Sequence, residues 1–267
     1  MKYIEILRKL YRGRKKITTS PVIALTDALS TKVLHNLNSK GIHIEPDFMT
    51  PQEVTAIRAS IDETLGRVTD EQWQHVRSGV SLKENRFGVS IGDAWNLWID
   101  REGSDRRISH AEHMHPLIHD FAHNERFRQI GSTYLDKDIV LKFCMVNRTT
   151  YAPTNLGSGG GWHRDNNYKR GFKALLYLSD SDEDNGCFQY LERSASIFHH
   201  LLKTPFPDKY QFTHEEVLRM VDSDEHKITS AVAKAGTLVM FDTNGVHRGK
   251  PLAPGGSRYA MTNYYID

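Results

Sequence analysis

His163 and Asp165, in the run Trp162-His163-Arg164-Asp165, are separated by a single residue. In an extended strand, residues i and i+2 project from the same face. The imidazole and the carboxylate can therefore enter one cavity while Arg164 turns away. His-x-Asp alone is common in proteins. What raises it here is a second histidine, His247, which follows a strand-like run and an Asn244-Gly245 turn, with Arg258 eleven residues further on. Two histidines and one carboxylate on one side of a metal leave three positions open, an arrangement suited to Fe(II) handling O2 and an organic co-substrate. An arginine nearby can grip a remote carboxylate with its forked guanidinium. The set His163, Asp165, His247 and Arg258 thus asks for an iron, a dicarboxylate and O2.

Elements must place these side chains. From Asp138 onward the chain is rich in β-formers, with strands expected at 139–146, 172–178, 187–191, 236–241 and 258–266. A glycine-rich loop spans 153–161, and Asn244-Gly245 is a hairpin signal. Residues 195–229 interrupt the strands. Thr213 and Glu216 there form a capping-box pattern ahead of Val217 and Leu218, which predicts a short helix. The first half reads as mainly helical. Thr50-Pro51 followed by Glu53 marks a helix start, Ile57, Ile61 and Leu65 share one face, and a second helical pattern runs from Ser109 to Tyr134. The expectation is one domain over 1–267: a largely helical cover at 1–137, then a β-sandwich or jelly roll at 138–267 with a lid-like insertion at 195–229.

With these pieces in order, the sequence resembles the phytanoyl-CoA dioxygenase-like branch of the Fe(II)/2-oxoglutarate dioxygenases. The likeness runs from about Val140 to the C-terminus. It is carried by Gly161-Trp-His-Arg-Asp165, Phe172-Lys-Ala-Leu-Leu-Tyr-Leu-Ser-Asp180, Asn185-Gly-Cys-Phe-Gln-Tyr190, Gly236-Thr-Leu-Val-Met-Phe241, and His247 with Arg258. The resemblance implies a double-stranded β-helix, the jelly roll of cupin-like proteins. It implies that His163, Asp165 and His247 ligate Fe(II) and that Arg258 binds the distal carboxylate of 2-oxoglutarate. It further implies that Asn147 matches a strand amide contacting 2-oxoglutarate. Thr262, on Arg258's strand face, could add a hydroxyl; for Asn147 and Thr262 a satisfied structural polar group is an equal alternative. The implied reaction couples oxidative decarboxylation of 2-oxoglutarate, giving succinate and CO2, to hydrogen abstraction from a substrate. Halogenating relatives have a small residue where the metal carboxylate stands. Asp165 is present, so hydroxylation or a related oxidation is expected. One departure concerns a loop: the family often has Pro-Gly-Ser-His where this chain has Glu192-Arg193-Ser194-Ala195.

Other groups invite chemistry less. His110, His113, His115, His119 and His123 are close in sequence, with the last three at helical spacing, but a metal needs converging ligands and structural support behind them. A structural or solvent-facing role is the plainer one, for His199-His200 as well. Trp95, Trp98 and Arg101 could wall a substrate pocket, although tryptophans are more often core anchors. Tyr168, Lys169 and Arg170 could meet an anionic substrate or belong to a solvated loop. In the insertion, Phe198, His199, Phe206 and Tyr210 are lid candidates.

Composition narrows the class. The 35 basic and 33 acidic residues nearly balance at +2, which gives no reason to expect nucleic acid as partner. Cys144 and Cys187 sit in strand-like segments and are expected as buried free thiols, consistent with a reducing, cytoplasmic setting. No apolar run reaches bilayer length and no signal peptide is evident. Residues 1–16 form a basic amphipathic pattern, expected as a terminal helix docked on the domain, with weak contact to an anionic membrane surface as the alternative. A small-molecule substrate is expected, and oligomeric state is not legible. Two other functions compete: a cupin-like metal enzyme that uses no 2-oxoglutarate, against which Arg258 argues, and a catalytically silent binding module, against which the intact triad argues.

Overall fold

The computed structural model describes residues 27–78, 90–91, 95–158, 160–165, 170–195, 210–224 and 226–266. The basic N-terminal pattern, Tyr168, Lys169, Phe198, His199, His200 and Phe206 lie outside the described residues, as does the side chain of Trp95. In chain order the elements are α1 (Ala28–Lys40), β1 (Ile42–Glu45), α2 (Pro51–Gly66), α3 (Asp70–Ser78), β2 (Ser90–Ile91), β3 (Trp95–Ile99) and β4 (Asp105–Ser109). A 3-10 turn (Ala111–His113), α4 (Pro116–Ala122), α5 (Glu125–Leu135), β5 (Val140–Thr150), β6 (Trp162–His163), β7 (Phe172–Tyr177) and β8 (Phe188–Leu191) follow. The chain continues with β9 (Gln211–Phe212), α6 (His214–Asp224), β10 (Ile228–Ala231), β11 (Leu238–Asp242), β12 (His247–Gly249) and β13 (Ser257–Ile266).

Two antiparallel sheets face each other. The larger has the order β1-β11-β7-β13-β5-β4-β3-β2 and the smaller β10-β8-β12-β6-β9. Strand alternation assigns each side chain of the larger sheet to one of two environments. Along β11, Leu238 and Met240 join Val146, Leu176 and Met261 beneath the helices, where Val54, Ile57, Ile61 and Phe127 pack. Val239 and Phe241 point the other way, against Tyr177, Phe188 and Tyr190 between the sheets. This is the expected jelly roll with a helical cover. The helix start at Thr50 is also as expected: its side chain and that of Glu53 cap each other's backbone N–H, with Pro51 in the first turn.

Three expectations change. Besides its helices, the first half supplies strands that were not expected, since β1, β3 and β4 extend the larger sheet on both sides. Their short lengths gave too few residues for a period of two to show. The pattern at Ser109–Tyr134 is not one helix; Ser109 ends β4, and α4 and α5 are separated at His123 and Asn124. Asn244-Gly245 does not close a hairpin either. β11 pairs with β7 and β1 in one sheet, whereas β12 pairs with β6 and β8 in the other, so the turn carries the chain across the sandwich. Part of the insertion belongs to the core. β9 pairs with β6, and Val217 and Met220 of α6 pack with Trp162, Leu191, Phe212 and Val246.

Candidate metal and co-substrate site

β6 and β12 are antiparallel neighbours, and their register sets His163 directly opposite His247. The ring centroids are 4.4 Å apart. β6 ends at His163, shorter than expected, yet the alternation persists. Arg164 turns away and is buried, its guanidinium donating to the Ser194 carbonyl at 3.2 Å and lying over the Phe212 ring. Asp165 turns back toward the histidines, its backbone N–H donating to the Thr243 carbonyl at 3.1 Å.

The tautomers follow from the backbone. His163 Nδ1 lies 2.9 Å from the Gly161 carbonyl oxygen and His247 Nδ1 2.8 Å from that of Gly245. A carbonyl accepts only, so each Nδ1 carries a proton, and in the neutral imidazole each Nε2 then presents a lone pair. Both Nε2 atoms face Asp165 Oδ1, at 3.6 and 3.8 Å, too long for hydrogen bonds. In that state three acceptors converge, and their possible ligand atoms all lie within 4.8 Å of one another. Such a cluster repels itself unless a cation sits among its members. Two imidazoles and a carboxylate fit a divalent iron. Among the described residues no other group of His, Cys, Asp and Glu has this property, and the histidines at 110–123 do not converge. His115 instead caps α4, its Nδ1 accepting from the Leu117 N–H, and His119 stacks on His123.

Electrostatics match the ligand role. Burial pushes the His247 imidazole down to about 3, so it is neutral. Burial would raise the Asp165 carboxyl, but the Lys173 ammonium beside it holds it well below the usual carboxylate range. Asp165 is the most open of the three, with its side chain 27 % exposed.

The triad opens into a cavity of about 720 Å³ between the sheets. Arg258, Asn147 and Thr262 all line it. On β13, Arg258 and Thr262 share a face, and Ala260 between them is the cross-strand partner of Asn147 on β5. Arg258 is buried. Its Nη1 donates to the Gly186 carbonyl and its Nη2 to Ser158 Oγ, while Nε has no partner among the described residues. Gly249, two residues past His247, leaves room for it: a β-carbon there would stand 2.5 Å from Arg258 Nη1. Asn147 Nδ2 donates to Thr149 Oγ1 at 3.0 Å, a structural bond that leaves its place on the cavity wall intact. Burial lowers the Arg258 pKa from its usual value.

Four lining residues carry functions that the motif reading did not assign. Ser158 braces Arg258. Arg107 pairs with Asp105 and lies over Trp98, which does not line the cavity. Arg170 donates to buried Asp242 at 3.0 Å and covers the Tyr134 ring, so it fastens the chain after Asp165 to the end of β11. Lys173 pairs with Asp165 at 2.6 Å. Its signal was in the sequence: a lysine inside the otherwise apolar strand Phe172–Tyr177. An apolar wall of Phe143, Leu135, Ile139 and Tyr265 completes the space.

Arg193 adopts φ +63°, the left-handed region where the family pattern has glycine. Ser194 Oγ donates to the Leu191 carbonyl at 2.6 Å and accepts from the Val246 N–H at 2.7 Å, which pins the residue before His247.

Solved structures share this fold. The epimerase SnoN from nogalamycin biosynthesis, a non-haem α-ketoglutarate-dependent enzyme, is 14 % identical with a TM-score of 0.57, covering 90 % of this chain and 83 % of its own. HygX from Streptomyces hygroscopicus, solved with nickel, 2-oxoglutarate and hygromycin B, is 15 % identical with a TM-score of 0.55, covering 88 % and 86 %. EctD from S. alaskensis, solved with bound Fe, is 14 % identical with a TM-score of 0.58, covering 94 % and 79 %. No curated protein matches the chain at the level of sequence. The family model described as Phytanoyl-CoA dioxygenase (PhyH) matches residues 37–260, which is most of the chain, and the protein belongs to that family.

Proposed function

We propose that the protein is an Fe(II)- and 2-oxoglutarate-dependent dioxygenase that hydroxylates a small-molecule substrate and releases succinate and CO2. The observation that supports this most is a pairing within one cavity. Three acceptors converge at His163, Asp165 and His247, and at Arg258 stands a buried guanidinium whose Nε has no partner among the described residues. The first needs a cation and the second an anion. 2-Oxoglutarate, with a keto-acid end and a distal carboxylate, joins the two.

In this reading, iron together with 2-oxoglutarate and O2 supplies the oxidising chemistry. The protein's residues supply the rest. The carbonyls of Gly161 and Gly245 hold both imidazoles with Nε2 inward. Arg258, braced by Ser158 and Gly186, fixes the co-substrate's far carboxylate by a charge-assisted fork. Asn147 and Thr262 offer an amide and a hydroxyl along the same wall. Phe143, Leu135 and Ile139 exclude water around the substrate's reacting carbon.

The fold neighbours include an epimerase, so oxidation outcome is a separate question from co-substrate use. Succinate formation across a panel of small molecules identifies the substrate, and product mass identifies the outcome. Hydroxylation requires one oxygen gained per succinate. Substrate-stimulated succinate with no oxygen in the product would replace hydroxylation by epimerisation, desaturation or ring closure. No succinate with any substrate, from iron-loaded protein, would count against the whole proposal.

A further inference from the structure

Lys173 extends from the middle of β7, where its cross-strand neighbours are Phe241 on β11 and Tyr264 on β13. Its side chain is 13 % exposed and faces the cavity. The ammonium lies 4.0 Å from the centroid of the Tyr264 ring and 2.6 Å from Asp165 Oδ2. Thr243 sets the spacing of the two backbones, since its carbonyl accepts from the Asp165 N–H and its own N–H donates to the Gly171 carbonyl.

The two oxygens of Asp165 therefore have different surroundings. Oδ1 faces both histidine Nε2 atoms, and Oδ2 lies on the ammonium. A carboxylate can hold a cation with one oxygen or with both. An ammonium beside a divalent ion opposes that ion's binding by like-charge repulsion, so tighter metal binding does not account for Lys173. Limiting how Asp165 binds does. Resting on the iron site proposed above, we infer that Lys173 is a positioning residue that occupies Asp165 Oδ2 and keeps Asp165 a one-oxygen ligand. The positions that a facial triad leaves open then stay available to the co-substrate and O2.

The test compares wild type, Lys173→Met and Lys173→Arg without oxygen. Mn(II) affinity is measured from the free-ion EPR signal, the Co(II) form by its ligand-field absorption, and 2-oxoglutarate affinity by titration of the metal-loaded protein. Lys173→Met should bind Mn(II) at least as tightly as wild type, show an altered Co(II) spectrum, and bind 2-oxoglutarate about tenfold or more weakly, the scale of losses on removing a group that orients a metal ligand. Lys173→Arg should restore the wild-type Co(II) spectrum and most of the 2-oxoglutarate affinity. Unchanged 2-oxoglutarate binding and Co(II) spectrum in Lys173→Met would overturn the inference while leaving the iron site intact. Parallel loss of metal and 2-oxoglutarate in both variants would also overturn it, by showing a merely structural lysine. Wild type that binds no metal would remove both this inference and the function it rests on.

Discussion

The hydroxyl of Tyr190 fills the space that a side chain at Gly245 would need. A β-carbon built there falls well inside contact distance of the Tyr190 oxygen. Tyr190 cannot easily yield, because it is fully buried and its hydroxyl donates to the Asp242 carbonyl at 3.1 Å. Gly245 is thus required by packing at the crossing between sheets, and its carbonyl also orients His247.

Gly245→Ala is expected to destabilise the protein by about 1–3 kcal/mol, the usual cost of overpacking a tight interior. It should also weaken metal binding, because the carbonyl at 245 shifts with the backbone. Chemical unfolding and a metal titration on the same sample check both. A variant as stable as wild type would mean that Tyr190 moves aside freely.

This turn shows where the sequence was legible and where it was not. That His163 and Asp165 share one face was legible because strand alternation is local, and it survives even though β6 stops at His163. The jelly roll was legible from repeated short apolar strands. The crossing at Asn244-Gly245 was not, because an Asn-Gly turn inside one sheet and one between sheets read alike; only the partners of β11 and β12 separate them. Ser158 and Gly186 as braces of Arg258 were illegible for a similar reason: each lies 72 residues or more away along the chain. Arg107 was hidden in a strand too short to show its period.

Arg193 holds a left-handed backbone, at φ +63°, that costs a side-chain-bearing residue about 1–2 kcal/mol and glycine very little. Glycine's greater freedom in the unfolded chain offsets roughly 0.5–1 kcal/mol of that. Arg193→Gly should therefore leave the protein slightly more stable, by a few tenths to about 1 kcal/mol. A rise in thermal midpoint measures it. A clear fall would assign the arginine side chain a stabilising contact.

The His247 imidazole has a folded value of about 3, below its ordinary 6.5, with burial as the main cause. Between those values the unfolded chain carries the extra proton. Stability from this group is present above about pH 6.5 and lost as pH falls toward 3, with a slope of up to about 1.4 kcal/mol per pH unit. His43, also lowered by burial, acts with the same sign. Urea unfolding of the metal-free protein across this range should show the slope, and His247→Gln should show a shallower one. Equal slopes would mean that the fold does not hold this imidazole neutral.

Arg258→Lys keeps the charge and removes the fork. Charge-assisted hydrogen bonds of this kind contribute about 1.5–3 kcal/mol, so 2-oxoglutarate affinity should fall on the order of ten- to a hundredfold. Metal affinity should stay near that of wild type, since the Arg258 guanidinium bonds to Gly186 and Ser158 rather than to His163, Asp165 or His247. Isothermal titration of the Mn(II)-loaded variant with 2-oxoglutarate gives the answer. Equal loss of metal would place Arg258 in the support of the triad instead.

The most direct measurement of the iron and 2-oxoglutarate site is the visible absorption spectrum of the protein under anaerobic conditions, as Fe(II) and then 2-oxoglutarate are added. A metal-to-ligand charge-transfer band should appear only when both are present, and should be absent in His163→Ala. A spectrum with no such band, from protein shown to hold Fe(II) at saturating 2-oxoglutarate, would contradict the assignment of His163, Asp165, His247 and Arg258.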